Sequence, residues 1–201
     1  MGRTKTIEDA EILRHAREAF REAGHAASTR DIASAAGISQ AVIYQRFGSK
    51  EDLFCRAMTP DQPDLEDLLG PYPPRSARAD LKRIGERLCE YLGTLMPTLL
   101  HVLAHPDLGR ARLARWHADL PFHALISALT ARFQRLRDDG LVGSINPSAA
   151  ARAFLAAVHS AAILESVAYG GAHHHHGHRG HVDALVEVLW TGLAPDRSVP
   201  E

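Results

Sequence analysis

Cysteine is scarce in this chain: only Cys55 and Cys89 occur in 201 residues, far apart and without metal-ligand spacing. That excludes a disulfide framework and a cysteine-built zinc site, and reads as two reduced, semi-buried side chains. Net charge is also lacking, at −1 with histidine neutral, which excludes a broad basic coat for nucleic acid but leaves room for a small local patch. No apolar run approaches the ~18 residues of a membrane helix without a charge or proline interrupting it. The opening MGRTKTIEDAEILRH passes from polar residues into an amphipathic pattern, with no apolar leader, so the expected location is cytoplasmic, with no membrane partner. Period-2 strand patterns and internal repeats are absent. So are the Gly-rich phosphate loop, the nucleophile elbow, the H-E-x-x-H pair and any paired carboxylates in a recognisable setting. Nothing in the sequence nominates catalytic residues or a cofactor, and an enzyme is not expected.

What is present is helical signal throughout. With 45% hydrophobic and 23% charged residues the composition is that of a globular protein. Ile12, Leu13, Ala16, Ala19, Phe20 and Ala23 recur at helical spacing until Gly24 ends the pattern. Ser28 and Asp31 form an S-x-x-D start for a second helix through Ile32 and Ala33, which stops at Gly37. Ser39 opens a third helix through Val42, Ile43 and Phe47, broken by Gly48. Ser49 opens a fourth, with Glu51 and Asp52 at the positive end of its dipole. Prolines at 60, 63, 71, 73 and 74 then rule out a continuous helix and mark a connection. Beyond it lie only helical stripes: Leu81 to Leu95, Leu108 to Trp116, Phe122 to Leu136 with Arg132, Arg135 and Arg137 largely off the stripe, Pro147 to about Tyr169, and Val182 to Leu193. The expected fold is all-α. Its parts are a three-helix bundle over 1–58, a connection over 59–75 and a larger helical domain over 76–201.

The informative stretch is Ser28 to Phe54. Two short helices joined through Gly37 have the arrangement of a helix-turn-helix, whose second helix enters the DNA major groove. Ile32, Ala33, Ala36, Ile38, Val42, Ile43 and Phe47 would hold the pair together. That leaves Ser39, Gln40, Ala41, Tyr44, Gln45 and Arg46 outward, of which only Arg46 carries charge. Such a face reads base edges by hydrogen bonds and methyl contacts.

Here the sequence resembles the TetR family of repressors. The residues that carry the likeness are T-R-D-I-A, A-A-G-I-S and I-Y-x-x-F-G-S-K-E-D-L-F, in that order within the first 55 or so positions. Two departures stand out: a turn before Arg30 that is one residue short, and His25 where an aromatic residue is common. The resemblance implies that Thr29, Tyr44 and Lys50 touch phosphates, with Ser28 beside them. It implies too that Gln40, Ala41 and Gln45 face bases, and that Arg30 reaches a base or a phosphate. It further implies a homodimer on an inverted-repeat operator in double-stranded DNA, and a second domain that binds a small-molecule effector. Alanine crowds the helix from Pro147, including Ala149, Ala150, Ala151, Ala153, Ala156 and Ala157. With the last helix it would supply a four-helix dimer interface. Tyr91, Leu95, Trp116, Phe122, Ile126 and His159 are available for a mainly apolar effector pocket.

Histidine offers a competing reading. Six of the 13 fall in AHHHHGHRGH, as His173, His174, His175, His176, His178 and His181. Clustered imidazoles bind zinc, nickel or copper, so a metal-responsive regulator or metal-binding protein is the alternative. The tract lacks cysteine or carboxylate partners at fixed spacing, and it reads first as a solvated loop.

Overall fold

The computed structural model describes residues 7–169 and 175–193, and within them every regular element is a helix. The chain divides into two compact units. One comprises the residues up to Asp61 together with Thr98–Leu120, and the other Gln62–Pro97 together with those from Pro121 on. Residues 98–120 therefore belong with the N-terminal unit rather than within a continuous second domain.

In the first unit, α1 (Asp9–Ala23), α2 (Thr29–Ala35), α3 (Gln40–Phe47) and α4 (Lys50–Met58) form the bundle. Helix α1 buries Ile12, Ala16 and Phe20, which recur on one face at the helical period. Phe20 meets Phe54 of α4 edge-on, with ring centroids 4.9 Å apart. Arg17 donates to Ala57 O at 2.7 Å, closing the end of α4 onto α1. Gly24 and Gly37 adopt φ of 58° and 67°, a left-handed turn that stops each helix without a Cβ penalty. Helix α7 (Arg110–Ala118) belongs to this unit and is tied to α4 by Arg112 Nε donating to Asp52 Oδ1 at 2.9 Å.

The second unit holds most of α6 (Ala77–Leu103), α8 (Phe122–Asp138), α9 (Pro147–Tyr169) and α10 (His175–Leu193). The boundary between units falls inside α6 at Pro97, where the missing N–H removes an intrahelical bond. The core of this unit contains Leu81, Leu88, Leu129, Phe133, Phe154 and Val182, all but sealed from solvent. Gly85 is needed where α6 meets α10, since a Cβ there would stand 2.7 Å from Val182 Cγ1. The window Pro147–Leu164 reaches a mean hydropathy of 1.3, which by length and composition would suffice to cross a membrane. Arg152 interrupts it, and Ala151, Phe154, Leu155 and Val158 of the same window are buried in the helical packing.

The structure adds to one expectation and corrects two. The proline-rich stretch contains a helix, α5 (Leu65–Leu69), which Asp64 caps by accepting from the N–H groups of Glu66 and Asp67. The histidine-rich tract is not wholly a loop, because α10 begins at His175. Arg132 does not lie off the apolar stripe of α8. Its side chain is 4% exposed, paired with an equally buried Asp80 at 2.8 Å.

Candidate nucleic-acid interface

Helix α2 begins where Ser28, in extended backbone, accepts hydrogen bonds from Arg30 N and Asp31 N. Ser39 occupies the corresponding position before α3 but makes no side-chain cap bond, which leaves its hydroxyl free of that duty. Ser49 caps α4, accepting from Asp52 N at 3.0 Å while its own hydroxyl donates to Asp52 Oδ2 at 2.6 Å. That short bond, with further help from Arg112, holds the Asp52 carboxyl below its ordinary value.

On α3, Ile43 and Phe47 are buried against the bundle, and Ile32 and Ala33 of α2 seal the other side. What the helix turns outward is Gln40, Ala41, Tyr44 and Gln45, with Ser39 at its start; Tyr44 is 44% exposed. Ser28 and Arg30, at the start of α2, are exposed as well. The second helix of the pair thus presents a polar, nearly uncharged face, as base-edge reading requires.

The remaining predicted residues are placed differently. Thr29 is buried at 5% exposure, and its hydroxyl organises the face rather than standing on it. Gln40 Nε2 donates to Thr29 Oγ1 at 2.7 Å, and Tyr44 Oη lies 3.2 Å from the same oxygen. One buried hydroxyl therefore fixes the rotamers of two outward side chains on successive turns of α3. Arg46 turns back toward the start of α1, donating to Ile7 O at 2.7 Å and Asp9 Oδ1 at 3.1 Å. It braces α3 rather than joining the outward row. Lys50 is half-buried, its Nζ donating to His25 O at 2.5 Å. The contribution of His25 carries no sequence signal, because it is made by a backbone carbonyl.

The effector-pocket residues fall in both units. Trp116 belongs to the first, 4% exposed, with Nε1 lacking a partner among the described residues. Tyr91 and Leu95 pack against the core of the second. Phe122, Ile126 and His159 line a cavity of about 270 Å³ with Arg152, Leu155 and Ala156, the Phe122 and His159 rings 5.0 Å apart. Both cysteines are buried thiols, and desolvation pushes the Cys55 thiol up to about 11, so it stays protonated and unreactive at neutral pH. Of the histidine tract, His173 and His174 lie outside the described residues, as do the side chains of His175, His176 and His178; His181 is exposed. No group of three metal-ligating side chains exists among the described residues.

Residues 12–57 match the sequence family described as bacterial regulatory proteins, tetR family. No curated protein matches the chain by sequence. Among solved structures, a protein of Mesorhizobium loti assigned to the TetR family superposes with a TM-score of 0.77 at 23% identity, covering 92% of this chain and 96% of that one. The transcriptional regulator FadR from Bacillus subtilis, solved with stearoyl-CoA, gives 0.61 at 16% identity, covering 92% and 99%. NalD of Pseudomonas aeruginosa, the secondary repressor of a multidrug efflux pump, gives 0.58 at 20% identity, covering 94% and 96%. At these identities the likeness is one of fold, and it extends over nearly the whole chain.

Proposed function

We propose that this chain, whose residues 12–57 match the tetR family of bacterial regulatory proteins, is a repressor released from its operator by a small molecule. The observation that carries the reading is the outward face of α3, where Gln40, Ala41, Tyr44 and Gln45 are exposed, as are Ser28 and Arg30 at the start of α2. Gln45 is free to pair with adenine N6 and N7, and Ala41 to meet a thymine methyl. Arg30, with no ion pair among the described residues, supplies a phosphate contact, and Lys50 adds a second charge nearby.

The protein acts as a homodimer in the cytoplasm, and its DNA is an inverted repeat. Two apolar residues of α9, Leu164 and Val167, and one of α10, Val188, are 63%, 66% and 74% exposed, which supports a partner copy over these helices. Two recognition helices read half-sites one turn apart only when they stand about 34–36 Å apart. A ligand that favours another spacing weakens DNA binding, and DNA reciprocally weakens ligand binding. That both FadR, solved with an acyl-CoA, and the repressor NalD share the fold supports this reading.

Selection from a random duplex pool at physiological salt tests it, with the wild type run beside an Arg30→Ala/Gln45→Ala variant. Both substituted side chains are exposed, so the variant is expected to fold. The wild type should enrich an inverted repeat and the variant should not. A folded wild-type dimer that enriches nothing, or a variant that enriches the same sequence equally well, would overturn the assignment.

A further inference from the structure

The second unit holds a larger cavity than the apolar one at Phe122. It is an open pocket of about 790 Å³ between α5, α6 and α8, within the size range of small-molecule sites. Leu65, Leu69, Pro71, Ala128 and Ala131 give it apolar walls, and four arginines, Arg83, Arg87, Arg132 and Arg135, line it as well. Three of them hold the backbone of α5 and the turn after it. Arg87 donates to Asp67 O, Arg83 to Leu69 O, and Arg132 to Pro71 O at 2.8 Å. Gly70 makes this possible: its φ is +65°, and a Cβ there would stand 2.7 Å from Arg83 Nη1.

The ion pairs are unevenly shared: among the described residues, three of the four arginines pair with only two carboxylates. Asp80 is the one carboxylate shared by Arg83 and Arg132, at 2.8 Å from each. Asp67 serves Arg87 at 3.0 Å, and Glu66 on the rim forms no ion pair among the described residues. Arg135 also has no ion pair there. Its guanidinium lies 3.7 Å above the ring of Tyr72, and that ring is held in turn by its hydroxyl donating to Asp139 Oδ2 at 2.5 Å. Stacking orients the planar fork while leaving its N–H groups without an acceptor among the described residues. Arg132, though 4% exposed, likewise has an Nη1 that donates to nothing among the described residues.

We propose that this pocket binds a small organic anion, an apolar body carrying a carboxylate, with Arg135 and Arg132 Nη1 as donors to the charged end. A preoriented guanidinium fork matches a carboxylate in two parallel bonds, and the leucine and alanine walls take the body. Binding here stands independently of whether it releases DNA.

The test is isothermal titration of the full chain with 2-naphthoate, the neutral 2-naphthamide and sulfate. Naphthoate should bind saturably, with naphthamide at least about tenfold weaker, because one charge-assisted bond is worth that factor. Arg135→Gln, on an exposed side chain, should weaken naphthoate by about tenfold with the thermal midpoint unchanged. Phe122→Ala, in the other cavity, should leave it unaltered. The proposal is overturned if naphthoate fails to saturate by about 5 mM, if naphthoate and naphthamide bind alike, or if Arg135→Gln changes nothing. Sulfate competing at equal affinity would show an adventitious ion only. A second titration in the presence of the selected operator separates the two readings: naphthoate bound without loss of DNA affinity keeps the site and removes it as the effector's.

Discussion

The two units bury polar chemistry in opposite ways. In the first, α2 and α3 are joined by a neutral cluster of Thr29, Gln40 and Tyr44 around one hydroxyl, at 2.7 and 3.2 Å. In the second, α6 and α8 are joined by Asp80 and Arg132, both side chains 4% exposed. A neutral hydrogen bond nets little stability because water offers the same bond to the unfolded chain. A buried ion pair nets little either, but for a different reason: two large desolvation costs nearly cancel a large attraction. The two arrangements therefore look alike in an intact protein and differ when one partner is removed. The neutral cluster leaves the recognition face open to substitution. The ionic one fixes the register of the α5 segment, since Arg132 also donates to the carbonyls of Leu69 and Pro71.

The largest effect should come from breaking the ionic side of this comparison. Asp80→Ala leaves Arg132 buried and unpaired, and Arg83 without its partner, a change expected to cost about 3–5 kcal/mol. Replacing both members, as Asp80→Leu/Arg132→Leu, should recover much of that loss by removing the uncompensated charge. Urea unfolding of the three proteins measures it. A single variant within about 0.5 kcal/mol of wild type, as for an ordinary surface change, would show that water reaches the pair.

The neutral side should yield less. Thr29→Val keeps the shape and removes the hydroxyl, at a cost of about 1 kcal/mol in stability. Its larger consequence is expected in DNA binding. Gln40 and Tyr44 lose the atom that fixes their rotamers, while Thr29→Ser retains it. Fluorescence anisotropy with the selected operator should find weakened binding for valine and near-normal binding for serine. Equal binding by all three would mean that the outward side chains are positioned by DNA itself.

That asymmetry also explains what was legible in the sequence. Capping residues, left-handed glycines and the apolar period are local signals, and they located α1 to α4 and the outward row of α3 within a residue or two. Ser28 and Ser49 cap as their positions imply, whereas Ser39 holds its place without a side-chain bond. Thr29 and Arg46 turn inward for a reason the sequence does not display: a polar side chain at a helix end reads as exposed unless its distant partner is known. For Arg46 that partner lies some forty residues away, at Ile7 and Asp9. Arg132 is the same case in stronger form, since its partner Asp80 is separated by 52 positions. Helix α5 was hidden by the prolines around it, although Asp64 preceding Leu65 carried a capping signal. The cavity beneath α5 is built from these non-local pairings, and no periodicity announces it.

The smallest effect asks whether the first unit, too, buries a group whose charge matters. His105 is 8% exposed, its ring 4.7 Å from that of Phe54 and 5.6 Å from that of His25, and its Nδ1 accepts from Asp107 N at 3.1 Å. Burial pulls its pKa below the ordinary histidine value, and the neighbouring His25 pulls in the same direction. Between that lowered value and about 6.5 the unfolded chain holds more protons than the folded one. Stability should thus fall as pH drops from about 6.5 through the folded value, and level off below it. His105→Phe keeps an aromatic ring against Phe54 and removes the titration. Its urea midpoint should change less between pH 7.5 and pH 5 than that of the wild type. Equal changes in the two proteins would show that protonated His105 is accommodated where it stands. An imidazolium has no lone pair at Nδ1 to accept from Asp107 N, so that accommodation would require the segment between α6 and α7 to rearrange.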